Sequence, residues 1–213
     1  MAAVAVVAGG GVLLARYLHK KRHEDLAKTA MSLGFDFDPE AVAVPGELRA
    51  MLPVFMAGSS KTPSNLLSRR SVDRQLLVFD YSYTTGNGKN KTQHSQTIVA
   101  FGGGAFLPQF QLCPENVVHK VMQLFGYQDI DFPENREFSK KWLLRGPDEN
   151  SVRAIMNTEV QMFLLGLTGW HVEASGQWLA AYKTGGPQKP QDYFSYIDQA
   201  RRIALAFGMR GIP

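Results

Sequence analysis

The sequence predicts an α+β fold, a mostly antiparallel sheet with helices on one face, preceded by an N-terminal transmembrane helix. Three observations predict it. Residues 2–15 carry no charged or strongly polar side chain and are followed at once by a basic cluster. Residues 75–83 and 92–101 alternate with period two around a glycine- and asparagine-rich turn, the pattern of a β-hairpin. Helical and strand-like segments are interspersed with no βαβ rhythm and no strongly apolar central strands, which favours an antiparallel sheet over a parallel one.

The opening segment ends at Arg16, Tyr17, Lys20, Lys21 and Arg22, with His19 and His23 among them. An apolar run followed by cations holds a chain in a bilayer with its next segment on the cytoplasmic side. At ~1.5 Å rise per residue, residues 2–18 span ~26 Å, slightly less than a ~30 Å hydrocarbon core. Snorkelling by Arg16 and headgroup placement of Tyr17 recover part of the difference. A secretory signal has its charge before the apolar run and small residues at its cleavage site, and here the charge order is reversed. Gly9, Gly10 and Gly11 argue against a buried helix of a soluble domain, since each costs ~1 kcal/mol of helix propensity. In a membrane they permit close approach of a second helix.

Residues 16–33 continue as a helix, with Leu18, Leu26, Ala30 and Leu33 at helical spacing and Gly34 as its stop. A linker bearing Asp36, Asp38 and Pro39 follows. A short helix starts at Pro45 and presents Leu48, Met51 and Leu52. Residues 57–64 read as loop. In the first hairpin strand Leu77, Phe79, Tyr81 and Tyr83 share one face, with Asp80 and Ser82 on the other; Thr97, Ile98, Val99 and Phe101 answer from the second strand.

A short strand at 110–112 precedes a helix opened by Pro114 and stopped by Gly126. Short strands are predicted at 128–132 and 142–144, and helices after Pro147 and over 159–165. A second hairpin is predicted from 171–174 and 178–183 around Ser175-Gly176-Gln177. A final amphipathic helix over 191–207 turns Phe194, Ile197, Ala204 and Phe207 inward. The predicted organisation is a membrane anchor over 1–18, a juxtamembrane helix over 19–34, and a single cytoplasmic α+β domain over 35–213.

The net charge of +4 and pI of about 9.2 invite a nucleic-acid reading. The distribution weakens it: residues 1–28 hold five Lys/Arg against two acids, and the rest of the chain is close to neutral. The excess sits where cations favour anionic headgroups. Phe79, Tyr81 and Tyr83 have the spacing of a base-stacking platform, but the RNP pattern is absent, so no nucleic-acid partner is predicted. One cysteine, Cys113, excludes an intrachain disulfide.

Catalytic motifs fail one by one. Gly86-Asn87-Gly88-Lys89 lacks the earlier glycine of a phosphate loop, where Tyr83 stands, and has Asn90 where Ser or Thr is needed. Gly102-Gly103-Gly104 lacks the third glycine of a dinucleotide fingerprint, its place taken by Leu107, and reads as a flexible link. Cys113 and His119 have no orienting third group. His94, His119 and His171 lack metal-ligand spacing.

No catalytic residue, metal or cofactor is therefore assigned. Lys89, His119, Asp129, Asp131 and Arg145 remain as weak ligand candidates. Asp129 and Asp131 would share a strand face suited to a hard cation, beside Glu134 and Glu137.

The body resembles a family of uncharacterised bacterial proteins of about this length, many with an N-terminal membrane segment. The matching stretches run Phe79-Asp80-Tyr81-Ser82-Tyr83-Thr84-Thr85-Gly86 with Gly88-Lys89, Gln96-Thr97-Ile98-Val99, and Leu107-Pro108-Gln109-Phe110. Gly126-Tyr127-Gln128-Asp129-Ile130-Asp131-Phe132 and Phe138-Ser139-Lys140-Lys141-Trp142-Leu143-Leu144-Arg145-Gly146 complete them. The resemblance implies a bacterial, membrane-associated protein and carries no activity or catalytic residue.

The function expected is that of a non-enzymatic accessory or scaffold subunit docking on a larger membrane assembly. It would be single-pass in the inner membrane, N-terminus outside, with membrane lipid and other membrane subunits as partners. The alternative is a membrane-tethered enzyme or ligand sensor with a pocket between sheet and helices.

Overall fold

A computed structural model describes residues 2–115, 127–211 and Pro213, with side chains from Tyr17 onward. Helix α1, Ala2–Leu33, is continuous through the predicted anchor and the predicted juxtamembrane segment. It ends where Gly34 takes φ +70°, the left-handed conformation glycine adopts without a Cβ penalty. There Phe35 N–H donates to Ala30 O at 2.9 Å and Gly34 N–H to Met31 O at 3.2 Å, satisfying terminal carbonyls. Among the described residues no helix is long and apolar enough to cross a membrane. Of the predicted anchor, Tyr17 and Leu18 have described side chains and are exposed; those before them, Arg16 included, and the surroundings of Gly9, Gly10 and Gly11 lie outside that description.

Six strands form one antiparallel sheet: β1 Asp36–Asp38, β2 Ser59–Arg70, β3 Gln75–Thr85, β4 Thr92–Pro114, β5 Trp142–Arg145 and β6 Trp170–Lys183. The order runs β1-β2-β3-β4, with β5 and β6 both paired to β4. The predicted first hairpin is β3–β4, in register from Gln75↔Gly102 to Thr85↔Thr92. The linker of Asp36 and Asp38 is strand β1, and most of the predicted loop at 57–64 belongs to β2. Pro63 is accommodated because that stretch of β2 lies outside the β1 pairing and so at the sheet's edge.

The second predicted hairpin is corrected: β6 is one strand, antiparallel to β4 from Tyr182↔Ile98 to Val172↔Leu112. Likewise Gly102-Gly103-Gly104 is no flexible link. It lies inside β4, at register shifts between Gly102 and Leu107 and between Leu107 and Phe110. The extra residues of β4 make bulges, and bulges bend a sheet. His171 and Tyr182 stack with ring centroids 5.0 Å apart, whereas eleven residues of straight strand span ~36 Å. Strand β6 therefore doubles over at the bend. Gly103 holds φ +80°, with the place of a Cβ only 2.0 Å from Asp73 O, so the bend requires glycine there.

The helices do not keep to one face as predicted, because successive residues of β3 and β4 bury apolar side chains on both sides. Leu76, Val78, Val99 and Phe101 pack in one cluster with Leu26 and Ala30 of α1 and with Tyr193, Ala200 and Ile203 of α7, Tyr193–Ala206. Helices α5, Glu149–Ile155, and α6, Thr158–Leu165, cap the same side through Val152, Val160 and Leu164. Leu77, Phe79, Tyr81, Ile98 and Ala100 pack in the other with α2, Gly46–Met51, and α3, Pro53–Met56, through Leu48, Val54 and Phe55.

Side-chain caps from Asn135, Asp148 and Asn157 open α4, Arg136–Lys141, then α5 and α6. On α7, Ile197, Ala204 and Phe207 are buried as predicted, but Phe194 is 70% exposed. Tyr193 and Tyr196 take the inward positions beside it. Residues 128–132 contribute only an isolated bridge, Asp129↔Arg145, and the helix predicted after Pro114 lies outside the described residues.

Candidate functional site

The densest buried polar constellation in the described residues joins α1 to the sheet. Asp80, placed by strand period on the face opposite Phe79, is 6% exposed. Its carboxylate accepts Arg22 Nε at Oδ2 and Arg22 Nη2 at Oδ1, both at 2.9 Å, the two-pronged geometry that makes arginine–carboxylate pairs strong. Asn65 Nδ2 donates to Oδ2 at 2.9 Å, and Thr97 Oγ1 donates to Oδ1 at 2.7 Å. Tyr193 O–H adds a longer bond of 3.4 Å to Oδ1. Asn65 reaches this position from a left-handed backbone, φ 55°, at the register shift between Ser64 and Leu67. Asparagine is among the few residues that take that conformation readily.

The same arginine gathers the C-terminal part of the chain. Its Nη1 donates to Gln188 O at 2.9 Å, and Gln188 N–H donates to Thr97 Oγ1 at 2.9 Å. Tyr196 O–H donates to Thr97 O and accepts Lys183 N–H, each at 2.9 Å. Burial first, then the neighbouring Asp80, pushes the Tyr193 hydroxyl well above its ordinary pKa. Burial does the same to Tyr196. Both hydroxyls remain protonated and serve as fixed donors. Burial, with the His19 ring tilted against it at 4.2 Å between centroids, lowers the pKa of His23.

A second buried network lies in the fold of the bent sheet. Glu173 is fully buried; its Oε2 accepts Val54 N–H at 2.8 Å, and Oε1 accepts Tyr182 O–H at 2.8 Å and Gln111 Nε2 at 3.0 Å. Burial raises its pKa, opposed by these three donors. His171 beside it is lowered to about 4 by burial, and its Nε2 has no hydrogen-bond partner. Three donors around one acid fasten α3 to the sheet across the bend.

Cys113 is fully buried, and burial pushes its thiol up to about 12, which removes it as a nucleophile at neutral pH. Of the weak ligand candidates, the structure brings together Asp129 and Arg145, whose Nε donates to Oδ1 at 2.6 Å. Asp131 is exposed, and among the described residues its backbone carbonyl accepts Arg153 Nη2 at 2.7 Å. Lys89 lies at the exposed tip of the β3–β4 hairpin, on a different element from that pair. His119 lies outside the described residues. Among the described residues no three His, Cys, Asp or Glu side chains gather as a metal site.

The clefts are built from other residues. One of about 140 Å³ lies between the end of α1 and α7, lined by Leu33, Phe35, Arg69, Leu76, Phe194 and Ile197 among others. One of about 310 Å³ lies between residues 93–96 and 184–186. Sequence reasoning missed Asp80, Asn65, Thr97 and Glu173. The available signal was the arginine: Arg22 interrupts a helical apolar stripe on the side of Leu26.

No protein-family model matches the chain, and no curated protein matches it. Among solved structures, it is similar to the crystal structure of the mycobacterial trehalose monomycolate transport factor A, TtfA. The TM-score is 0.61 at 11% sequence identity, covering 90% of this chain and 96% of that one. A similarity at this identity shows a common fold.

Proposed function

We propose that this chain is a non-enzymatic, membrane-anchored accessory factor in membrane-associated transport. The first half of α1 crosses the inner membrane, N-terminus outside, and the folded domain stands against the cytoplasmic surface, where it docks on a larger assembly. One observation carries the reading. A single uninterrupted helix, Ala2–Leu33, has an apolar first half in sequence and a second half built into the domain core through Leu26, Ala30 and Arg22.

A flexible linker would leave a tethered domain free to tumble; a continuous helix clamped at Arg22 gives it one orientation relative to the anchor. A fixed orientation is what a scaffold needs, since it presents the same surface to a neighbouring subunit each time. Membrane lipid and other membrane subunits are the partners this reading requires. The fold shared with a transport factor supports the accessory role. The inertness of Cys113 favours it over a tethered enzyme with a thiol nucleophile.

Purification from gently solubilised membranes tests the role. A partner recovered at fixed stoichiometry across several mild detergents is the expected result. A lone monomer in each of them overturns it.

A further inference from the structure

The end of the domain from which the anchor helix emerges carries cations supplied by four separate parts of the chain. Helix α1 and strand β3 run side by side in opposite chain directions: Leu33 and Leu76 line one cleft, and Arg22 grips Asp80. From Arg22 to Arg16 the helix climbs ~9 Å. From Asp80 to Thr85 the strand climbs ~17 Å before its turn begins. The β3–β4 tip therefore reaches at least the level of Arg16. If Arg16 lies at the headgroups, so does the tip.

That tip presents Lys89 and Lys91, both exposed. Lys61 of β2, beside Ser82 and Tyr83, is also exposed, as is Lys189 next to the Gln188 carbonyl that Arg22 holds. Lys20 and Lys21 of α1 complete the set. Among the described residues, the side-chain ammonium groups of Lys21, Lys89, Lys91 and Lys189 make no hydrogen bond or ion pair. Lys20 has only a 3.9 Å contact with exposed Glu24, and Lys61 donates to Met56 O.

Opposing acids at this end are Glu24 and Asp25 of α1, Glu40, which lies close to His23, and Asp192; between Asp80 and Glu115 the sequence contains no carboxylate at all. Arginines of the opposite end are instead spent on backbone carbonyls: Arg69 on Leu33 and Gly34, Arg70 on Ala43, Arg74 on Arg210.

We infer that these lysines form a contact face for the anionic headgroups of the bilayer, so that the domain lies against the lipid surface by its β3–β4 tip as well as hanging from α1. The inference rests on the anchor proposed above. Each lysine at an anionic surface contributes about a fivefold factor to the docked-to-undocked ratio.

The full chain is reconstituted in phosphatidylcholine vesicles with or without phosphatidylglycerol. A fluorophore is placed at N90C on the tip, or at V72C on the exposed turn at the opposite end of β3. Buried Cys113 does not compete for the label. Lipids spin-labelled at the headgroup act as quenchers, and carbonate extraction of the same vesicles reports insertion.

The expected result is a several-fold rise, on adding phosphatidylglycerol, in quenching at N90C relative to V72C. The triple variant K89E/K91E/K189E should abolish that rise while staying in the carbonate pellet. A carbonate-resistant protein whose N90C quenching ignores lipid charge, or survives the triple reversal, overturns the inference and leaves the anchor standing. A protein released by carbonate overturns both.

Discussion

Arg22→Met removes the only cationic partner that the described structure gives to the Asp80 carboxylate. Two charge-assisted bonds of 2.9 Å are lost, while Asn65, Thr97 and Tyr193 continue to donate. Removing one partner of a buried ion pair costs ~3–5 kcal/mol, chiefly because the other charge is stranded. The Asp80 side chain is 9% exposed and keeps its neutral donors, and the Arg22 side chain is 23% exposed, so the low end applies: a loss of ~3 kcal/mol. For a domain of this size that lowers Tm by roughly 6–12 °C.

Thermal unfolding of the full chain in mild detergent, followed by near-ultraviolet circular dichroism of buried Trp142, Trp170 and Trp178, measures it. Asp80→Asn leaves an acceptor for Thr97 and Tyr193, so R22M/D80N should cost clearly less than the two single changes summed, with a coupling of ~2 kcal/mol. A change within ~0.5 kcal/mol for R22M, or strictly additive costs, refutes the clamp.

Other consequences are as direct. His171, nearly fully buried, has its pKa lowered from 6.5 to about 4. The unfolded chain takes up this proton first, so its contribution to stability is complete above pH 6.5 and is lost as pH falls toward 4, by up to ~3 kcal/mol. H171F, which keeps a ring against Tyr182, should flatten the acid limb of the stability curve; identical pH profiles would contradict the assignment. Gly103→Ala should cost ~2 kcal/mol or more, since it puts a Cβ at positive φ against Asp73 O; chemical denaturation measures it, and a neutral result would show the bend to be adaptable. Native Cys113 should resist maleimide at pH 8 and react only on unfolding; rapid native labelling would contradict its burial.

The β3–β4 hairpin was legible because alternation and a Gly/Asn turn act locally, and α1, α5, α6 and α7 because their period and caps do. Strand β2 was not, because its first half is polar and exposed and contains Pro63; over that half, pairing with β3 makes it a strand. The bends in β4 and β6 were mistaken for a link and a turn because bulges and turns draw on the same residues, glycine above all.

Phe194 was placed inward because helical period gives the direction of a buried face but not its width; Tyr193 and Tyr196 fill the interior instead. Asp80 was not read as a site residue because strand period only assigns it to the face opposite Phe79, and that face is covered when α1 and α7 pack on it. Its most distant partners lie 58 residues before it and 113 after it, beyond any local pattern.

Alkaline carbonate extraction of native membranes, with the N-terminus verified as intact, bears most directly on the helix as both anchor and clamp. The account predicts the whole chain in the membrane pellet, domain included. Recovery of the intact chain in the supernatant would contradict it.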